Sequence, residues 1–173
     1  AAISGRWGSY YAFLAQYKDL LRVYNAAPAV EQEEKRMFII AATIYFYDHT
    51  QKVVDLHGDI PWSEAGLLGT HGGDYKTSSA AYDPADQIYT KMLDDLKGFS
   101  DELNAITISP GASTVLNTQD FINHGNVAKW KQYCNSLRLR MLTRVSSVAS
   151  FQSRASTEIA SIVDDPTTYP LVL

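Results

Sequence analysis

The stretch DLHGDIPWSEA, residues 55–65, gathers Asp55, His57, Asp59, Ser63 and Glu64 beside Gly58, Pro61 and Trp62. Three chemistries use such side chains. Acid–base catalysis needs two carboxylates in environments that push their pKa values apart, and neither the spacing nor the composition here sets up that contrast. Ser63 lacks the G-x-S-x-G context of a nucleophile elbow. Metal binding could join His57 with His71 and Asp74, or with His49, but no CxxC, HExxH or EF-hand spacing occurs, and solvated loop histidines describe these residues better. The third chemistry is stacking. Trp62 follows a proline in a turn, Tyr75 and Tyr82 punctuate a glycine-rich stretch, and Trp7, Tyr10 and Tyr11 cluster near the start. A flat ring face that is partly apolar stacks on a sugar or peptide ring at little desolvation cost, while nearby Asp, Asn and His groups bond hydroxyls. Trp62, Trp7, Tyr75, Tyr82 and Asp59 are therefore the candidate ligand-binding residues. The competing reading has Trp62 folded back over the helix ends as a lid on the core, with Asp55 and Asp59 bonded to turn amides.

Other reactive groups read as structural. Cys134 lies on an apolar helical seam, which describes a buried, inert thiol. Lys129, Lys131, Arg138, Arg140 and Arg144 share one helix. They form either a cationic patch or, as the preferred reading, a solvated face bridged to the acids of the preceding long helix, with the stems of Arg138 and Arg140 covering apolar surface. No catalytic residue, cofactor or metal is assigned.

These residues must be positioned by helices. In 8–25, Tyr10, Phe13, Leu14, Tyr17, Leu20, Leu21 and Tyr24 fall on one helical face. A second helix, 29–56, opens with acids that suit the positive end of its dipole, and its stretch 37–47 is apolar almost all round, so it is buried on several sides. Residues 66–82 read as a loop. A third helix follows, with Asp83 as N-cap and Ile88, Met92, Leu96 and Phe99 as its stripe. Residues 104–125 read as a second loop. Asn126 caps a fourth helix running to Ala149, and a fifth covers 151–163. No strand ladder is legible. The fold class is all-α, helix pairs with two long loops, and loops of that length are usually functional or disordered. Trp130, Tyr133, Cys134 and Leu137 loosely meet the offsets of a tetratricopeptide helix.

The bulk numbers bound the function. The 173 residues are 46% hydrophobic, carry eleven tyrosines and have a formal net charge of −4. That fits one domain, residues 1–173, and speaks against a nucleic-acid partner, which would call for a basic excess. The single cysteine allows no internal disulfide, and no apolar run approaches the ~20 residues of a membrane span. The chain reads as a piece of a longer protein.

Three blocks carry a family resemblance. GDIPWSEA (58–65) resembles the GD-[IV]-P-[YFW]-SEA turn of the SusD/RagB superfamily. YDPADQIYTKMLDDL (82–96) resembles the helix that follows it there, and DFINHGNVAKWKQYCNSLRLRMLTRVS (120–146) resembles the family segment containing KW.KFANSLKLRLAMRIS. The blocks stand in family order and the match is best over 29–163. His57 replaces the usual Tyr or Phe, and Asn126 the usual Asp. The resemblance implies a fold of tetratricopeptide-like helix pairs, incomplete in this chain, and a lipid-anchored protein on the outer face of a Gram-negative outer membrane. It implies a non-enzymatic protein that binds glycans or other nutrients and acts with a SusC-type TonB-dependent transporter. It also implies that ligand contacts come largely from irregular segments outside the helix pairs. Two alternatives remain open from the residues: a helical adaptor that binds only the transporter or a peptide, and a hydrolase using Asp59 and Glu64.

Overall fold

Aromatic residues every three or four positions build the first helix pair. In the computed structural model, which describes residues 2–172, α1 spans Ala2–Ala26 and α2 spans Ala29–His57. Pro28 stands between them, where its fixed φ and missing N–H suit a helix start. The tyrosines of α1 set its register on α2. The hydroxyls of Tyr10 and Thr50 lie 3.1 Å apart and those of Tyr17 and Thr43 2.9 Å apart, so a seven-residue advance along one helix matches a seven-residue retreat along the other. Each threonine already donates to the carbonyl four residues back, at Phe46 and Ile39, so the tyrosine must be the donor. Phe46 lies between these links, stacked on Tyr17 at 4.2 Å and on Tyr10 at 5.8 Å. Burial pushes the Tyr10 phenol well above its usual pKa. As the apolar run requires, α2 is buried round most of its circumference, from Met37 to Val54.

The chain forms two compact units, residues 1–90 and 91–173. The first holds α1, α2 and a two-residue antiparallel pair, β1 (Ile60–Pro61) with β2 (Tyr82–Asp83), in which Ile60 faces Asp83 and Pro61 faces Tyr82. This pair is too short to have shown in the sequence. Helix α3 (Ala85–Leu103) begins in the first unit and continues in the second. Its first turn is not capped by Asp83, as the sequence suggested. Asp83 lies in β2, and the Ala85 N–H instead donates to Asp59 Oδ1, 2.9 Å away. A carboxylate 26 residues upstream does the work expected of a neighbour.

In the second unit α4 is Pro110–Gln119, α5 Val127–Val145 and α6 Gln152–Asp164. Helix α4 occupies much of what read as the second loop. Ser109 caps it by accepting from Ala112 N, Pro110 stands in its first turn, and only Ala112 and Leu116 are buried. Asn126 caps α5 by accepting from Lys129 N, as its type suggested. The helix ends at Val145, earlier than expected, and Val148 is exposed. Ile88, Met92, Leu96 and Phe99 are buried along α3, as are Trp130, Cys134, Leu137 and Met141 along α5. Burial pushes the Cys134 thiol up to about 12, against the pull of Arg138, and its sulfur contacts the Leu96 carbonyl. Ser100 donates to Asn135 Oδ1 at 2.6 Å, and Asn135 in turn donates to the Pro170 carbonyl.

Arg138 corrects the picture of a wholly solvated basic face. It is 2% exposed and pairs through Nε and Nη2 with Glu158 of α6. Arg154 of α6 bridges to Asp94 of α3 at 2.7 Å. A guanidinium suits this buried place because its planar fork meets a carboxylate through two donors.

One turn organises the entry to α5. Asp120 Oδ1 accepts from the N–H groups of Ile122 and Asn123, and Oδ2 from Gly125 N and Trp130 Nε1. Partial burial would raise this carboxyl, but the four donors overcome it and hold the pKa below the usual carboxylate value. Gly125 takes φ +69, and a Cβ there would sit 3.0 Å from the α4 backbone at Asn117. Phe121 stands 87% exposed on this pinned turn.

Candidate binding surface

The opening stretch exits α2 through Gly58, which takes φ +73 and donates its N–H to the Val54 carbonyl. That conformation suits a residue without a side chain. Ile60, fully buried, then anchors the turn. The Asp83 carboxylate accepts from Trp62 N (2.9 Å), Ser63 N (2.8 Å) and Ser63 Oγ (2.6 Å). Its partial burial works to raise the pKa. The Ser63 and Trp62 hydrogen bonds and the nearby Lys18 ammonium outweigh that and hold it below the usual value. Helix α1 closes the turn from the other side: Tyr11 donates to the Pro61 carbonyl at 2.9 Å and Lys18 to the Ser63 carbonyl at 2.9 Å. Gly66 lets α1 come close, since a Cβ there would collide with Leu14 and meet the Ala15 backbone at 3.0 Å.

The structure brings part of the candidate set together. Trp7 packs on Tyr11 at 4.8 Å and edge-on to His57 at 4.7 Å between ring centroids. Burial raises the Tyr11 phenol to about 12, with the neighbouring Tyr82 and Asp83 adding to the effect. Tyr82 pairs with Pro61 across the β1–β2 ladder and is 65% exposed. Trp7, Tyr11, His57 and Tyr82 thus form a wet aromatic surface over the α2 exit. Tyr11 and His57 belong to it although the sequence reading did not place them among the candidates. Their spacing was the available signal: Trp7 and Tyr11 are four residues apart on one helix, and His57 holds a position where the resembled family carries an aromatic ring.

Three candidates sit differently. Trp62 is half-buried, with its ring near Tyr47 and under the Lys18 ammonium, and its buried Nε1 is directed toward the Tyr10 hydroxyl. Asp59 is engaged as the cap of α3. Tyr75 is 80% exposed, and around it Asp74 accepts from Lys76 N and His71 Nδ1 lies 3.2 Å from Ser78 Oγ. Among the described residues no group of three or more His, Cys, Asp or Glu could hold a metal ion, and no helix is long and apolar enough to cross a membrane.

A family model described as starch-binding, associating with outer membrane, matches residues 2–172. A solved chitin-binding protein shares the fold with a TM-score of 0.70 at 24% identity; the match covers 94% of this chain and 31% of that one. The chain therefore spans about a third of that protein's length. No curated protein matches.

Proposed function

The chain belongs to the SusD-like family, and from that premise we propose that it is the helical part of a cell-surface glycan-binding protein of an outer-membrane uptake system. In this reading residues 1–173 work as one helical domain of a longer, lipid-anchored protein that passes oligosaccharide to a SusC-type TonB-dependent transporter without chemistry of its own. The observation that carries the reading is the Trp7–Tyr11–His57–Tyr82 surface. Trp7 and Tyr11 are carried by α1 and His57 by the end of α2, and Tyr82 adjoins a turn whose amides are already satisfied by Asp83, so the ring faces are set before any ligand arrives. Such preorganisation cuts the ordering cost of binding. The described part of the family model concerns starch, and the chitin-binding protein of the same fold is consistent with a saccharide ligand. Tyr75, Trp62 and Asp59 have lesser parts in it: Tyr75 as a reachable ring on the 66–81 segment, Trp62 and Asp59 as residues that hold the surface in place.

Titration of the protein with starch and chitin oligosaccharides, followed by tryptophan fluorescence, tests the proposal. Saturable quenching is expected, and Trp7→Ala and Tyr82→Ala should each weaken binding several-fold, the range of one aromatic contact. No response to either oligosaccharide series would overturn the reading. Recovery of a barrel transporter from native membrane, with no saccharide response, would favour the adaptor instead.

A further inference from the structure

A second face of the first helix pair carries a cavity of about 510 Å³ lined by residues of α1 and α2 alone. This size lies within the roughly 300–1,000 Å³ range of small-ligand sites. Its floor is apolar and rigid: Tyr10 and Val53 are buried, and the Tyr10 hydroxyl is committed to Thr50. Its wall is a set of three rings in mutual edge-to-face contact. Phe13 lies 5.8 Å from Tyr45 and 5.7 Å from His49, and Tyr45 lies 4.8 Å from His49. Its rim is polar, with Ser9, Arg6 and Lys52.

The charges at the rim do not cancel. Lys52 bridges to Asp48 at 3.1 Å, which neutralises that pair. Arg6 is exposed and has no ion-pair partner among the described residues. One guanidinium is therefore left over beside the cavity, in a chain whose net charge is −4. His49 does not add a second cation. Burial and the Lys52 ammonium lower its pKa, Asp48 raises it, and Arg6 lowers it further, leaving the imidazole below its usual value. A neutral imidazole and the Ser9 hydroxyl each offer hydrogen bonds suited to hydroxyl groups.

We propose that this α1–α2 cavity is a second binding site, taking a sugar ring that bears a carboxylate. The ring faces would cover the apolar side of the sugar, Ser9 and His49 would meet its hydroxyls, and Arg6 would take the carboxylate through two parallel donors. The site does not depend on the Trp7–Tyr82 surface, which uses other residues of α1.

Calorimetric titration of the whole chain with glucuronic acid, glucose and benzoate tests this. Glucuronic acid should bind saturably and at least about tenfold more tightly than glucose, the size of one charge-assisted contact. Arg6→Gln should erase that preference, Arg6→Lys should keep only part of it because an ammonium cannot present two parallel donors, and Tyr45→Ala should weaken both sugars. Arg6 is exposed, so its variants should fold normally, checked by an unchanged circular dichroism melt. Trp7→Ala and Tyr82→Ala should leave glucuronic acid binding unchanged, which separates this site from the surface above. Equal affinity for glucose and glucuronic acid, no binding of either, benzoate binding as tightly as glucuronic acid, or indifference to Arg6→Gln would overturn the proposal.

Discussion

Asp83 and Asp120 each gather backbone amides and one side-chain donor around a single carboxylate, and each is held below the usual carboxylate pKa by those bonds. They differ in range. Asp120 draws on residues two to ten positions ahead, so its turn closes as soon as a short segment folds back. Asp83 draws on Trp62 and Ser63, 21 and 20 positions behind, so the whole 66–81 segment must be looped out first. Loop-closure entropy rises only slowly with length, so the longer tie is affordable. The difference lies in what else each one holds. Asp120 satisfies the Trp130 indole, a ring 2% exposed, whereas Asp83 holds a turn that also leans on Tyr11 and Lys18.

Three perturbations would sharpen or break that contrast. The largest effect is expected from Asp120→Ala, which strands three amides and the Trp130 N–H. A loss of about 3–4 kcal/mol is expected by urea denaturation, and a loss under 1 kcal/mol would show that water replaces the carboxylate freely. Asp83→Ala should cost less, about 1–2 kcal/mol, because its donors lie nearer the surface and α1 still grips the turn. It should also loosen Tyr82 and so weaken oligosaccharide binding, which Asp120→Ala should not do. The smallest effect is the pH dependence. Both carboxyls have folded pKa values below the unfolded value of about 3.9. Their contribution to stability is therefore complete above pH ~4 and is lost as pH falls from there through the folded values. Melting temperatures between pH 5 and 2.5 should fall less steeply for Asp83→Asn and Asp120→Asn than for the parent protein; parallel slopes would contradict the lowered values.

The same contrast explains what the sequence could and could not disclose. Helix α2 was readable because Met37–Tyr47 is apolar but for Thr43, and the Asn126 cap because its partner, Lys129 N, is three residues away. The cap of α3 was misassigned because the obvious neighbour, Asp83, is claimed by Trp62 and Ser63, and Asp59 reaches in from a distance that no local pattern encodes. Helix α4 escaped notice since only Ala112 and Leu116 face inward, too few to make a stripe. Of the candidate surface, the aromatic composition was visible, but not which side of each ring stays wet. Trp62 and Trp7 look equivalent in sequence. One lies under Lys18 and the other packs on His57 because α1 folds back on α2 in one register.

That register has a keyed joint. Sliding α1 along α2 by one turn, about 5.4 Å, would carry the phenols of Tyr10 and Tyr17 past their threonines and leave two hydroxyls in an apolar seam. Each stranded group would cost about 1–3 kcal/mol, enough to make the shifted pairing a rare state. The Trp7 ring and the Arg6 guanidinium ride on the same helix. Two phenol–threonine links therefore set how far each stands from its counterpart on α2, much as teeth fix the throw of a ratchet.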